Sequence, residues 1–295
     1  MTESVTEPDR TMGATDPVLA RFLLRGLIQR FVREDGRGYH AQCTEAGVSH
    51  RTWKRWVALD VIPGVPQIRA IIKVCGYDED HDLSRQLLRL AQDARRHNVV
   101  SQAEWLSSTA FDLYVAIERV SQLIKTYEFT LIPGLLQTKE YARAYFLQAG
   151  LSGNELEQRV DLRMQRQAIL TRKDGPARLV AIVDEGALHR EPPGDGVMHG
   201  QLAQLLELGT LDTIELRVIP FASGLYSTNG DGSFVLLTSK EVGLDIAYVE
   251  GGPSANYFET PEALQRYNAA FERLARWSLG PEASADLIRR RLSST

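Results

Sequence analysis

The strand-like segments of this 295-residue chain are confined to its second half. Runs of β-branched and other apolar residues that are typical of strands occupy 177–183, 213–221, 233–238 and 245–250. From residue 19 to residue 97 the apolar residues recur instead at spacings of three and four, which is the pattern of amphipathic helices. This division predicts an α+β protein, with an all-helical N-terminal domain and a mixed α/β C-terminal domain in which helices flank a small sheet.

The helical spacing also predicts where the helices of the second domain lie. Apolar residues at helical intervals predict one helix over 111–127, and Thr138 is placed to cap a second helix over 139–148. The remaining helices are predicted over 154–171, over 197–209 and in two segments that follow Thr260 and Gly280.

The length of the chain fits two compact domains, because single hydrophobic cores are commonest at about 100–150 residues. Residues 1–16 are polar and lack apolar periodicity, which predicts a disordered leader. We place a helix-turn-helix domain at 17–105 and the mixed domain at 106–295.

The segment AGVSHRTWKRW, residues 46–56, carries the clearest functional pattern. Gly47 supplies the permissive backbone of a turn, and the Ser49 hydroxyl is placed to cap a helix that begins at His50. On that helix four side chains share one face, namely His50, Arg51, Lys54 and Arg55. The opposite face holds Trp53, Trp56 and Val57, which we expect in the core.

The charge of the chain is concentrated around this segment. Residues 21–60 carry eight bases and four acids, a net +4, whereas the whole chain has a net charge of −4. A local basic face is what a modular DNA-binding protein needs, because only the docking surface displaces counterions from phosphate. Lysine and arginine donate to guanine edges and to phosphate oxygens. We therefore take as DNA-contacting candidates Ser49, His50, Arg51, Lys54 and Arg55; the alternative interpretation is a solvated helix end.

The same segment resembles the turn and recognition helix of the xenobiotic-response-element (XRE) class of helix-turn-helix regulators, which typically read L-G-V-S-x-x-T-hydrophobic-S-R. The chain departs from that class at four positions. Tyr39 stands where the class usually has Gln, Gln42 where it has Leu, Cys43 where it has Ala and Val57 where it has Glu.

A second resemblance covers about residues 110–292. The segments PGLLQT, RQ…LTR and DE…LHR occur in the order and spacing of the domain of unknown function that follows the helix-turn-helix in WhiJ-type regulators of filamentous actinobacteria. The resemblance implies a transcriptional regulator of development or specialised metabolism. It also implies that the C-terminal domain senses a ligand or a small partner protein encoded nearby.

Polar residues embedded in apolar segments of the second domain form either a structural hydrogen-bond network or the lining of a ligand pocket, because buried polar groups are costly unless paired. The candidates are Glu118, Tyr127, Gln137, Arg163, Gln167, Glu185, Arg190 and Gln201.

The cysteines and histidines do not follow a metal-binding pattern. Cys43 and Cys75 belong to no CxxC spacing, and His189 and His199 lack the spacing of a zinc site, so we expect no metal and no cofactor. No apolar run is long enough to span a bilayer and no signal-peptide core is present, which predicts a cytoplasmic protein.

Two hypotheses about function follow. In the first, the chain is a DNA-binding transcriptional regulator, with double-stranded DNA as its partner, a homodimer as its expected state, and a small-molecule effector or small partner protein acting on the second domain. In the second, the chain is a divergent member that no longer reads DNA, and its C-terminal domain binds or transforms a small molecule as a biosynthetic enzyme. Enzyme motifs are absent from the sequence, but catalytic residues need only be close in space.

Overall fold

The computed structural model describes residues 15–95, 109–226, 232–240, 243–251 and 254–294. The chain divides into two compact units between Ala116 and Ile117. Residues 1–14 of the predicted leader and the predicted domain boundary near residue 105 lie outside the described residues.

The N-terminal unit is helical in its described part. Its helices are α1 (Pro17–Glu34), α2 (Tyr39–Ala46), α3 (His50–Ala58), α4 (Val65–Val74) and α5 (Asp82–Asp93), and α6 (Thr109–Val120) follows. The Asp16 carboxylate accepts a hydrogen bond from the Val18 amide at 2.9 Å and so caps α1. The core is formed by fully buried side chains of four helices, among them Phe31, Trp53, Ile71 and Leu87.

The described residues of the C-terminal unit contain one six-stranded sheet with the order β3-β2-β1-β4-β5-β6. The strands are β1 (Leu123–Glu128), β2 (Arg178–Asp184), β3 (Ile214–Ile219), β4 (Phe234–Ser239), β5 (Leu244–Gly251) and β6 (Ser254–Phe258). β1, β2 and β3 run parallel, whereas β4, β5 and β6 form an antiparallel meander on the other side of β1. Tyr127 pairs with Ile182 on one side and with Phe234 on the other, which places β1 at the centre of the sheet.

Helices cover both faces of the sheet. The crossover from β1 to β2 contains α7 (Lys139–Gln148) and α8 (Gly153–Gln167). The crossover from β2 to β3 contains α9 (Glu185–His189) and α10 (Val197–Leu208). After β6 the chain continues with α11 (Pro261–Trp277) and α12 (Pro281–Leu292). Side chains alternate between the faces of a strand. One face, which includes Tyr127 and Leu236, packs against Tyr267 and Phe271 of α11. The opposite face, which includes Leu179, Ala181 and Val183 of β2, is buried as well. The two crossovers advance in the same direction along the sheet, from β1 to β2 to β3, so right-handed connections place their helices on the same face.

The structure confirms the α+β class and the four predicted strands, and it corrects one element. The predicted helix over 111–127 is wrong, because α6 ends at Val120 and Leu123–Glu128 is a strand. Beyond the helix end, the Gln122 amide donates to Thr238 O at 2.9 Å and the chain enters the sheet between β2 and β4. These partners are distant in sequence, so the local spacing contains no sign of them. β6 was not predicted from the sequence either.

Candidate nucleic-acid interface and polar clusters

The turn before α3 has the local structure that the sequence predicts. Gly47 adopts a left-handed conformation with φ of 67°, which ends α2. The Ser49 Oγ accepts a hydrogen bond from the Thr52 amide at 3.2 Å and caps α3. Two short helices are therefore joined by residues 47–49 in a fixed conformation.

The candidate DNA-contacting residues all lie on the surface. Ser49, His50, Arg51, Lys54 and Arg55 are exposed. Within the described part of the chain, the Arg51, Lys54 and Arg55 side chains form no ion pair with an acidic group. Their charges are available to an external anion.

The opposite side of α3 anchors the helix in the core. Trp53 and Val57 are buried, as predicted. Trp56 is only half-buried, and its ring centroid lies 6.2 Å from that of Trp53. The expectation that Trp56 belongs to the core is therefore only partly met.

Gln42 is fully buried and is the polar anchor between α1, α2 and α3. Its carboxamide oxygen accepts a hydrogen bond from Trp53 Nε1 at 3.2 Å. Its nitrogen donates to Val32 O at 3.0 Å and to Asp35 Oδ2 at 2.7 Å. Gln42, one of the four departures from the XRE pattern, thus forms its hydrogen bonds with groups of the N-terminal unit. One of those groups, the Trp53 indole, belongs to α3, the helix that carries the basic face.

An arginine links the same region to α4. The Arg37 guanidinium lies 2.7 Å from Asp35 and 2.6 Å from Glu45, and it also donates to Val74 O. On the outer side of α2 the exposed Tyr39 ring lies 6.0 Å from the His50 ring. Tyr39, another departure from the XRE pattern, therefore lies beside the beginning of α3.

Four of the eight candidate pocket residues come together around the PGLLQT segment. Gln137 is buried, donates to Ile132 O at 2.8 Å and accepts from Arg163 Nη1 at 2.9 Å. Gln167 donates to Gln137 O at 2.6 Å, and Gln201 donates to Leu136 O at 2.8 Å while it accepts from the Thr138 amide at 2.8 Å. These side chains fix the segment to α8 and α10.

Gly134 in this segment lies close to the Arg163 side chain of α8. A Cβ at this position would lie 2.7 Å from Arg163 Nη1. The Arg163 guanidinium is held by Gln137 and lies over the Phe146 ring, with 5.0 Å from Cζ to the ring centroid. The glycine of PGLLQT thus makes room for the arginine.

Glu118 is the fifth candidate, and it forms a buried ion pair. Arg166 of α8 donates to its two carboxylate oxygens at 2.7 and 2.8 Å, and both side chains are almost inaccessible to solvent. A bidentate, buried pair of this kind is a structural contact between α6 and α8.

Tyr127 and Glu185 belong to a different cluster, at the carboxyl ends of β1 and β2. The hydroxyls of Tyr127 and Tyr226 are 2.9 Å apart, and the Tyr226 hydroxyl donates to Asp184 Oδ2 at 2.5 Å. Burial, followed by the hydrogen bond to Asp184, raises the pKa of Tyr226 well above its ordinary value. Glu185 accepts from the Phe221 amide at 2.6 Å. Arg190, the last candidate, is exposed.

The eight residues therefore do not line one cavity. Among the described residues, the one buried side-chain polar atom without a hydrogen-bond partner is Ser84 Oγ in the N-terminal unit. A small surface depression between the sheet and α11 contains Lys125, Thr238, Asp245 and Asn268 and none of the eight. This arrangement supports the network interpretation for the PGLLQT residues.

Glu128, which the sequence analysis did not single out, has an unusual titration. Burial raises the pKa of its carboxyl to about 7; the Glu250 carboxylate also raises the pKa, whereas the Ser233 hydrogen bond and Arg163 lower it. The signal that could have found Glu128 is its place in the central strand β1, but the sequence predicted a helix there.

The described residues contain no group of three or more His, Cys, Asp or Glu side chains that could hold a metal ion. Among the helices of the described residues, none is long and apolar enough to cross a membrane.

Comparison with known proteins gives one match. A family described as a domain of unknown function (DUF5753) matches residues 111–290, which is more than half of the chain. The match coincides with the second resemblance found in the sequence. No curated protein and no solved structure matches the chain.

Proposed function

This chain belongs to the DUF5753 family, and we propose that it is a cytoplasmic DNA-binding transcriptional regulator of the WhiJ type, with an XRE-class helix-turn-helix. In this proposal α3 enters the major groove of double-stranded DNA. The C-terminal unit senses a small molecule or a small partner protein and alters DNA binding.

The observation that carries the proposal is the unpaired basic face of α3. Arg51, Lys54 and Arg55 are exposed and form no ion pair within the described residues. Three neighbouring cations without acidic partners repel one another by about 0.2–0.5 kcal/mol per pair, and a bound anion removes that repulsion. A DNA backbone supplies that anion at a regular spacing.

The anchoring of α3 supports the same function. A recognition helix reads bases only if its angle is fixed by the helix before it. Trp53 is buried and hydrogen-bonded to Gln42 of α2, and Ser49 caps the first turn of α3. The basic face is therefore presented by a rigid element, which lowers the entropic cost of docking.

The departures from the XRE pattern are compatible with DNA binding. Gln42 keeps α2 packed through three hydrogen bonds, and Cys43 and Val57 are buried as small apolar residues. Tyr39 is exposed beside His50 and presents a phenol that can donate to a phosphate oxygen, as the usual glutamine does. These contacts weaken the case for a divergent member that has lost DNA reading.

A gel-shift experiment separates the two hypotheses. The full chain is titrated against DNA from its own upstream region and against a random fragment of equal length. A preference of at least about a thousandfold for the upstream fragment supports the regulator. Equal binding to both fragments would contradict sequence-specific recognition of DNA and would favour the second hypothesis, in which the C-terminal domain binds or transforms a small molecule.

A further inference from the structure

The surface depression between the sheet and α11 is lined by polar residues from four separate elements. These are Lys125 of β1, Thr238 of β4, Asp245 of β5 and Asn268 of α11. Lys125 pairs with Leu236, and Thr238 pairs with Asp245. Paired residues of neighbouring strands, and residues two apart on one strand, point to the same face of a sheet. Lys125, Thr238 and Asp245 therefore all point to the face that packs against α11.

Lys125 is a half-buried lysine in a central strand of the sheet. Its ammonium donates to Asn268 Oδ1 at 3.2 Å and lies 5.6 Å from the centroid of the Phe271 ring. In the part of the chain that the structure describes, it forms no ion pair with a carboxylate. An amide oxygen and a ring face carry no net charge, so they replace only part of the hydration that the ammonium has lost. A bound anion would supply the missing charge.

Two further polar groups of the depression also lack partners. Asp245 is exposed, and among the described residues neither its carboxylate nor the Thr238 hydroxyl makes a hydrogen bond or an ion pair. Asn268, in contrast, is fully used, because its nitrogen donates to Leu264 O at 2.9 Å while its oxygen holds Lys125. Since β4 lies between β1 and β5, the depression has a cation on one side, a hydroxyl in the middle and a carboxylate on the other side.

The size of the depression limits what can enter it. Its volume is about 30 Å³. About 10–15 Å³ holds one water molecule, so there is room for roughly two or three groups of that size, as in a carboxylate. A phosphate group is larger, and its second negative charge would be repelled by Asp245. The Asp245 carboxylate at the exposed side attracts a cationic group instead, which favours a ligand that carries both charges.

We propose that this depression binds the ammonium and carboxylate groups of a small zwitterion of the α-amino acid class. The ligand carboxylate accepts hydrogen bonds from the Lys125 ammonium and the Thr238 hydroxyl, and the ligand ammonium donates to Asp245. Such charge-assisted hydrogen bonds are stronger than neutral ones. The binding itself stands on the C-terminal unit alone. Its role, as the site at which a small molecule is sensed, rests on the proposed function.

Ligand-observed saturation-transfer NMR on the full chain without DNA tests the site, with glycine as the probe. We expect saturable binding in the millimolar range, because so small a ligand makes few contacts. Acetate lacks the ammonium and methylamine lacks the carboxylate, so each should bind at least about tenfold more weakly than glycine.

Two variants connect the binding to the depression. Lys125→Met and Asp245→Asn should each weaken glycine binding at least about tenfold. Lys173→Met, which removes an exposed lysine elsewhere in the C-terminal unit, is the matched control and should leave the binding unchanged. Lys125→Met should also unfold at the same or a higher urea concentration, because it removes a half-buried charge that has no acidic partner. A lysine that only holds Asn268 in place would give the opposite shift. If Lys125→Met does not fold, the exposed Asp245→Asn decides the test.

The absence of saturable glycine binding would overturn the site. Equal binding of acetate or methylamine, or unchanged glycine binding in the variants that fold, would overturn it as well. The DNA function fails separately. A chain that binds glycine but shows no preference for its upstream DNA retains the site and loses the proposed function, whereas a chain that reads this DNA and binds no glycine loses only the site.

Discussion

The Trp53 indole nitrogen of the basic helix lies 3.2 Å from the Gln42 carboxamide oxygen of the preceding helix, and both side chains are fully buried. The contact joins Gln42, which stands where the XRE class usually has leucine, to α3, the helix that we propose binds DNA. It explains how α3 retains its angle in a sequence without the usual leucine at position 42.

The Gln42–Trp53 pair should be coupled energetically. Gln42→Leu leaves the Trp53 N–H and the Val32 carbonyl without this partner and should lower the free energy of unfolding by about 1–3 kcal/mol. Because Trp53→Phe removes the same indole bond, the double variant should lose less than the sum of the two, by about 1 kcal/mol. Urea denaturation of the four proteins measures this difference, and strictly additive losses would contradict the coupling.

Removal of Arg166 should destabilise the C-terminal unit strongly. Arg166→Met leaves the buried Glu118 carboxylate without its bidentate partner and should cost about 3–5 kcal/mol. The double variant with Glu118→Met should recover most of this loss, because no charge then remains buried. Arg143→Met, which breaks an exposed pair with Glu157, should cost less than about 1 kcal/mol in the same denaturation experiment. Equal losses for Arg166→Met and Arg143→Met would show that the buried pair has no special role.

The raised pKa of Glu128 makes stability depend on pH. The folded pKa of about 7 exceeds the ordinary value of 4.5, so the folded chain binds this proton more tightly than the unfolded chain. The contribution is fully favourable below pH 4.5 and is lost as the pH rises through about 7, a change of at most about 3 kcal/mol. Glu128→Gln should therefore flatten the decline in the free energy of unfolding between about pH 5 and pH 8. Parallel declines for the variant and the unmodified chain, measured in urea at several pH values, would refute the assignment.

The parts of the fold that local patterns specify could be predicted from sequence. The Gly47 turn, the Ser49 cap and the Thr138 cap each depend on residues within a few positions, and each forms as predicted. β1 could not be predicted, because its residues continue the helical spacing of α6 and become a strand only through pairing with β2 and β4.

The same distinction between local and distant partners applies to the candidate sites. The basic face of α3 follows from helix geometry, and its exposure agrees with the prediction. The partners of the polar residues in the C-terminal unit are distant in sequence, as the separation of Glu118 and Arg166 illustrates. Sequence could therefore nominate polar residues in apolar segments but could not distribute them between the PGLLQT cluster and the Tyr226–Asp184 cluster.

The salt dependence of DNA binding tests the role of α3 most directly. Fluorescence anisotropy with the upstream fragment gives the slope of log K against log salt for the unmodified chain, for the Lys54→Ala/Arg55→Ala variant and for Lys73→Ala, an exposed lysine of α4 as control. If Lys54 and Arg55 contact phosphates, the double variant binds more weakly and its slope falls by about 2, whereas Lys73→Ala leaves both unchanged. Specific binding with the same affinity and slope in the double variant would contradict the assignment of α3 as the DNA-docking helix.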